Sequence, residues 1–201
     1  MVISFEGPDS SGKSTQAKIL YDNLIRIGLK VKLFHFPRYE SPIGNLIGKA
    51  LQGECKISFD AMQMLYAADQ KDFNEELKDL IDKGYTVILD RYDLSTIAYY
   101  VAKKNINMVV GKVIVSHWQR DFIIPDITFV LHLENALSRR DEDTLDVFEK
   151  DEELMKNINK VYLKLANYLH NKDDRRVQVI NASLTKEKIS SIIGEVLNNL
   201  W

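Results

Sequence analysis

The chain has 201 residues with 27 Lys and Arg against 29 Asp and Glu, a net charge of −2 and a single cysteine, Cys55, a length that favours one compact domain because a domain typically takes ~100–200 residues. The near-neutral balance argues against a nucleic-acid binder working by bulk positive charge, one cysteine cannot form an internal disulfide, and neither a signal-peptide start nor the ~20-residue apolar run of a membrane span is found. Composition therefore leaves a soluble, intracellular domain with no nucleic acid and no membrane as partner, but it does not exclude a small anionic ligand held by a few well-placed cations.

Taken in chain order, an apolar strand over Val2–Glu6 is followed by a glycine-rich loop and then by a helical pattern with Ile19, Leu20, Leu24 and Ile27 on one face. A second strand is predicted over 30–36 and a helix over 58–80, with Met62, Leu65, Tyr66, Asp69 and Phe73 on one side. Asp69 is a carboxylate on an otherwise apolar face and needs a partner. A third strand covers 85–90, helical patterns follow Leu94 and cover 107–122, and a fourth strand covers 127–133. Residues 141–153 hold eight acidic residues and one lysine, read as a solvated loop and an acidic first helical turn. A helix ending near His170, a strand over 177–181 and a final helix with Ile189, Ile192, Ile193, Val196, Leu197 and Leu200 on one face complete the chain. Strands separated by helices of this period imply an α/β fold, a five-stranded parallel sheet covered on both faces.

The most specific signal is Gly7-Pro8-Asp9-Ser10-Ser11-Gly12-Lys13-Ser14, a full G-x-x-x-x-G-K-[ST] phosphate loop between a strand and a helix. Glycines let the backbone wrap a phosphate, and successive N–H groups at the helix start point at the anion. Gly7, Ser10, Ser11, Gly12, Lys13, Ser14 and Thr15 are accordingly the expected ATP-binding residues. Lys13 reaches the β- and γ-phosphates and the Ser14 hydroxyl coordinates Mg²⁺ in such loops. Asn171-Lys172-Asp173-Asp174 matches a guanine-reading motif but follows a helix instead of a strand, and the lone Asp-x-x-Gly lies inside the phosphate loop itself, so a GTPase is set aside.

An enzyme that moves a phosphoryl group to another nucleotide needs cations outside the phosphate loop, preferably arginines, whose planar fork matches phosphate oxygens. Arg38 and Arg91 each lie just past a predicted strand and emerge at the carboxyl edge where the loop also lies. Asp90 ends its strand where a carboxylate can hold Mg²⁺ through its water shell. Tyr66 and Gln70, one helical turn apart, can contact one ligand with a ring and an amide.

These residues resemble the thymidylate kinase family. The resemblance runs through Phe5-Glu6-Gly7-x-Asp9-x-x-Gly12-Lys13-Ser14-Thr15-Gln16, Phe36-Pro37-Arg38, Leu65-Tyr66-Ala67-Ala68-Asp69, Asp90-Arg91-Tyr92-x-x-Ser95-x-x-Ala98-Tyr99 and Pro125-Asp126. It implies a single P-loop kinase domain over residues 1–201 with a short lid at about 139–147, transfer of the γ-phosphoryl of MgATP to dTMP, a cytoplasmic protein and a homodimer. It further implies that Arg38 and Arg91 clamp the acceptor phosphate, that Asp9 meets the sugar 3′-hydroxyl and steadies Arg91, and that Tyr66 stacks on the base. Tyr99 would crowd the 2′ position, Ser95 would line the same helix face, and Phe36 would belong to the substrate-binding set. Arg139 resembles the arginine lying against adenine, Arg140 is a candidate lid cation, and Glu149 matches an acidic residue after the lid.

Three positions depart from the family pattern. Gln70 stands where arginine is usual, Thr96 where asparagine or glycine is common, and Val147 where an arginine precedes Phe-Glu. Gln70 and Thr96 concern the base edge, which motivates a kinase for another deoxynucleoside monophosphate, dUMP or a purine nucleotide, as an alternative. The thin supply of lid arginines motivates a second alternative, a nucleotide-binding switch without transfer activity. No general base is required, because the acceptor phosphate is already anionic, and His35 and His132 are expected to be packed or surface residues.

Overall fold

The computed structural model describes residues 1–133, 151–172 and 176–200. Five parallel strands, β1 (Val2–Glu6), β2 (Val31–His35), β3 (Thr86–Asp90), β4 (Ile127–His132) and β5 (Arg176–Asn181), form one sheet in the order β2-β3-β1-β4-β5. Each expected strand is present within a residue or two of its expected ends. The chain leaves β1 toward β2 on one side and reaches β4 on the other, so the strand order reverses at β1. Ligands of such sheets bind beyond the carboxyl ends at that reversal.

Alternation along the strands decides which helices cover which face. Ile3 and Phe5 of β1 and Phe129 and Leu131 of β4 point into one layer, where α1 (Lys13–Arg26) contributes Leu20 and Leu24, and α8 (Lys186–Asn198) contributes Ile189 and Ile193. On the opposite face, α5 (Asp93–Lys104) and α7 (Glu152–Lys172) bury Ile97, Val101, Ile158 and Leu165 against Val130 and Val177. α6 (Met108–Trp118) packs beside them, and Asp151 accepts a bond from the Leu154 amide at the start of α7.

The helix expected over 58–80 is two helices, α3 (Phe59–Asp72) and α4 (Asn74–Asp82), joined at Phe73. The Phe73 ring is fully buried, 4.4 Å from the centroid of Phe34 and 5.6 Å from that of Phe36. The two helices have different neighbours: α3 packs against α2 (Pro42–Leu51) and α5, whereas α4 packs against β3. A continuous helix would bury the same apolar stripe on one straight face, and periodicity alone does not separate the two cases.

Gly44 in the first turn of α2 matters for the site. A Cβ there would lie 1.9 Å from the Arg38 carbonyl oxygen. Ser41 joins the two, accepting from the Gly44 amide at 2.9 Å while its own amide donates to the Arg38 carbonyl at 2.8 Å. Gly44→Ala is expected to cost about 1–3 kcal/mol of stability through overpacking, read as a lower urea midpoint, and to displace the backbone of Arg38.

Candidate active site

The phosphate loop is shaped by backbone conformations that side chains disfavour. Gly7 has φ 141° and Gly12, which opens α1, has φ 86°. A Cβ at Gly7 would meet the Leu131 carbonyl oxygen of β4 at 2.4 Å, so the loop starts by sliding along its neighbouring strand. Ser10 is in the left-handed region and exposed, whereas Ser11 is buried and its hydroxyl oxygen has no partner among the described residues. Lys13 folds back over the loop, its Nζ 3.2 Å from the Pro8 carbonyl and 3.3 Å from Asp9 Oδ1. Burial and the Arg91 charge lower the ammonium pKa, against Asp9 and Asp90 which raise it. Ser14 and Thr15 are exposed at the start of α1.

Asp9 is the meeting point of both halves of the site. It pairs with the Arg91 guanidinium and with Lys13, and accepts from the Tyr99 hydroxyl at 2.6 Å. Burial raises the Asp9 carboxyl pKa, but Arg91, Lys13 and the bonds from Tyr99 and Arg91 outweigh it and hold the group well below its usual value. Arg91 is in turn raised, because Asp9 and its neighbours overcome the cost of burial. Its backbone is left-handed, φ 65°, a conformation that costs a non-glycine residue ~1–3 kcal/mol and recurs at functional sites. The Arg91 amide donates to the Phe5 carbonyl at 2.9 Å, which ties the turn after β3 to β1.

Asp90 lies near Ser14 at the start of α1, and that hydroxyl helps to lower the carboxyl pKa. His35, its partner in the β2–β3 register, lies with Nδ1 2.9 Å from Asp90 Oδ2. Burial raises the Asp90 pKa, but the His35 bond, the Lys13 and His35 charges and the nearby Ser14 hydroxyl bring it below the usual value. Among the described residues the buried Asp90 Oδ1 has no partner. A carboxylate oxygen left open beside a serine hydroxyl suits a hydrated divalent cation. His35, expected to be packed or at the surface, is half-exposed and also oriented on this carboxylate.

Beneath Arg91 lies a buried carboxylate that the motif carried without an assigned role. Glu6 Oε1 accepts from the Tyr92 amide at 2.9 Å and the Leu94 amide at 3.1 Å, which are donors otherwise orphaned at the start of α5. Its Oε2 accepts from the Ser95 hydroxyl at 2.5 Å and the Tyr162 hydroxyl at 3.4 Å. Ser95 and Tyr162 are 2.8 Å apart, and Arg91 Nη1 lies 3.5 Å from Ser95. Burial, with the Glu6 charge, pushes the Tyr162 phenol pKa up. The only signal for Glu6 was a carboxylate ending an apolar strand; Tyr162, from α7, had none.

The remaining expected residues gather around α3. Asp69 finds its partner in Arg38: Asp69 Oδ2 accepts from the Arg38 amide at 2.8 Å, and Oδ1 from Arg38 Nε at 3.2 Å and the Ser41 hydroxyl at 2.9 Å. Arg38 also reaches Asp72 at 2.7 Å. Phe36 is buried between Phe73 and Tyr92. Tyr66 packs half-buried against the Ile47, Ala50 and Met62 cluster. Gln70 donates through Nε2 to the Tyr92 carbonyl at 2.9 Å, and among the described residues neither its buried Oε1 nor the buried Thr96 hydroxyl has a partner. Arg139, Arg140, Val147, Glu149 and the lid expected at about 139–147 lie outside the described residues.

A parallel sheet with a phosphate loop after its central strand, and arginines at two further strand ends, defines a P-loop phosphotransferase that brings two phosphorylated ligands to one edge. Comparison with known proteins gives the family. The thymidylate kinase family model matches residues 5–193. The chain is 33% identical to thymidylate kinase of Plasmodium falciparum, covering 99% of this chain and 95% of that one, and 31% identical to a probable thymidylate kinase of Methanocaldococcus jannaschii, covering 100% and 95%. A solved thymidylate kinase from Candida albicans, described as having broad substrate specificity, superimposes with a TM-score of 0.85 at 27% identity, over 98% of this chain and 91% of that one. The chain belongs to the thymidylate kinase family and is a nucleoside monophosphate kinase.

The Asp9 pKa makes a pH prediction. A carboxyl depressed in the folded state adds stability above its unfolded value, near 3.8, and loses it as pH falls toward the folded value. The stability gap between the protein and Asp9→Asn, measured by denaturant unfolding, is expected to be widest at neutral pH and to shrink on descending through about pH 3. A gap independent of pH would contradict the ionised Asp9–Arg91 pair.

Proposed function

We infer that this protein passes the γ-phosphoryl group of ATP to dTMP, giving ADP and dTDP, with the residues at the carboxyl edge of β1, β2 and β3 dividing the work. The observation that carries the reading is the Asp9–Arg91–Tyr99 cluster, which couples the phosphate loop to the acceptor side through one carboxylate. Phosphoryl transfer asks a protein mainly for alignment and charge neutralisation. An acceptor phosphate oxygen attacks the γ-phosphorus while the bond to the β,γ-bridging oxygen breaks, and that oxygen leaves with ADP.

In this reading the backbone amides from Gly7 to Thr15 cradle the donor phosphates and Lys13 neutralises charge on the β,γ-bridge. Arg91 and Arg38 hold the acceptor phosphate in line. Asp9 fixes Arg91 and receives the sugar 3′-hydroxyl, and Tyr99, held by Asp9, occupies the space of a 2′-hydroxyl. Tyr66 stacks on the base, supported by the i, i+4 spacing that brings Gln70 beside it. The open Gln70 and Thr96 oxygens support a polar contact with the base edge. Ser95 keeps Arg91 and Glu6 in register, and Phe36 forms the floor under Arg38. Ser14 and Asp90 are the residues suited to Mg²⁺, which when bound supplies charge neutralisation on the triphosphate. Arg139 and Arg140 are assigned to the adenine and the lid by resemblance.

The chain acts as a cytoplasmic homodimer. Among the described residues no helix is long and apolar enough to cross a membrane. The neighbouring helices α2, α3 and α6 expose Leu46, Met64, Val110 and Val113, an apolar set suited to a second copy of this chain.

The test is diphosphate formation from MgATP and a panel of dTMP, dUMP, dGMP and UMP. dTMP is expected to be used best, and a purine or dUMP winning would overturn the acceptor assignment. Lys13→Ala is expected to lower kcat by about 10²-fold or more while the protein still folds. Tyr99→Ala is expected to raise kcat/KM for UMP relative to dTMP by about tenfold, and an unchanged ratio would remove Tyr99 from sugar discrimination.

A further inference from the structure

Arg38 is not an open fork waiting for phosphate. A guanidinium has five N–H donors in fixed directions. Nε donates to Asp69 Oδ1 at 3.2 Å, and Nη2 donates both to the Asp69 main-chain oxygen at 3.0 Å and to Asp72 Oδ2 at 2.7 Å. Nε and both hydrogens of Nη2 are therefore engaged, and among the described residues the two donors of Nη1 meet no acceptor. A phosphate is held best through two parallel N–H bonds along one edge of the guanidinium. The Nε–Nη2 edge belongs to Asp69, whose Oδ1 lies 3.1 Å from Nη2 as well. The Nη1–Nη2 edge can present two donors only if one Nη2 hydrogen is released.

The two carboxylates differ in their freedom to release it. The Asp69 side chain is 1% exposed and is held by the Arg38 amide at 2.8 Å and the Ser41 hydroxyl at 2.9 Å. The Asp72 side chain is 55% exposed, at the last position of α3, and water can replace Arg38 as its partner. Ion pairs of that exposure hold weakly.

We propose that Asp69 and Asp72 set the acceptor affinity of Arg38 in opposite directions: Asp69 is a positioning residue that fixes the guanidinium, and Asp72 is a built-in anion that the acceptor phosphate displaces. The proposal rests on the reading of Arg38 as an acceptor-phosphate ligand. It assigns a purpose to two carboxylates beside a group meant for an anion. The buried one holds the arginine extended, and the exposed one neutralises its outer face until a dianion arrives.

The experiment measures dTMP binding by calorimetry without ATP, and KM for dTMP and for ATP, in the unaltered protein, Asp69→Asn, Asp72→Asn and Arg38→Ala. Asp72→Asn is expected to tighten dTMP binding and lower its KM by about threefold. Asp69→Asn is expected to raise the dTMP KM by about tenfold, with the ATP KM of both variants within about twofold of the parent. Weaker dTMP binding in Asp72→Asn would overturn the proposal, since both carboxylates would then merely brace the arginine. So would unchanged dTMP affinity in Asp72→Asn while Arg38→Ala loses it. Unchanged dTMP affinity in Arg38→Ala would instead remove the reading of Arg38 itself. Asp72 is half-exposed at a helix end, so its variant decides the matter even if Asp69→Asn does not fold.

Discussion

The Asp9–Arg91 ion pair is the constraint on which the rest of the site depends. It joins the phosphate loop, which leaves β1, to the turn that leaves β3, two segments 82 residues apart in sequence. Without a carboxylate at Asp9, Arg91 and Lys13 would be two partly buried cations repelling one another at the strand ends. With it, each becomes a positioned donor. The pair also accounts for Tyr99, whose hydroxyl takes the remaining Asp9 oxygen, so that one side chain orders groups from β1, β3 and α5 together.

Glu6 does for the framework what Asp9 does for the surface. It points from β1 away from Ile3 and Phe5, into the layer of α5 and α7, and there satisfies amides at the start of α5. Ser95 and Tyr162 then link that start to α7, so the turn carrying Arg91 is fixed to the sheet by hydrogen bonds as well as by apolar packing. A buried carboxylate is costly unless its oxygens are saturated, and the donors around Glu6 come from the start of α5 and from α7. A half-satisfied network at this position would be worse than an apolar one.

Much of this was legible in the sequence because its signals are local. The phosphate loop is eight consecutive residues, the strands are short apolar runs, and Arg38 and Arg91 follow strands directly. The expected partner of Asp69 was required by burial physics, although its identity as Arg38 was not. Three features escaped because they depend on contacts distant in sequence. The break between α3 and α4 falls at Phe73, whose ring packs against Phe34 and Phe36 from β2 and its end. The role of Tyr162 depends on Glu6, 156 residues away. His35 lies beside Asp90 only because β2 and β3 pair in that register. Gln70, which departs from the family pattern, still serves a local need, since its amide satisfies the Tyr92 carbonyl.

The left-handed backbone at Arg91 has a consequence for how such a chain can change over generations. Glycine would relieve the strain there, yet it would delete the guanidinium that Asp9 is built around. A β-branched residue would lose the guanidinium and sharpen the strain. The position therefore keeps a strained backbone for the sake of the ion pair its side chain makes with Asp9. Compensation must come from elsewhere, from the aromatic floor of Phe36, Phe73 and Tyr92 and from the saturated Glu6, which can absorb the cost without touching the chemistry.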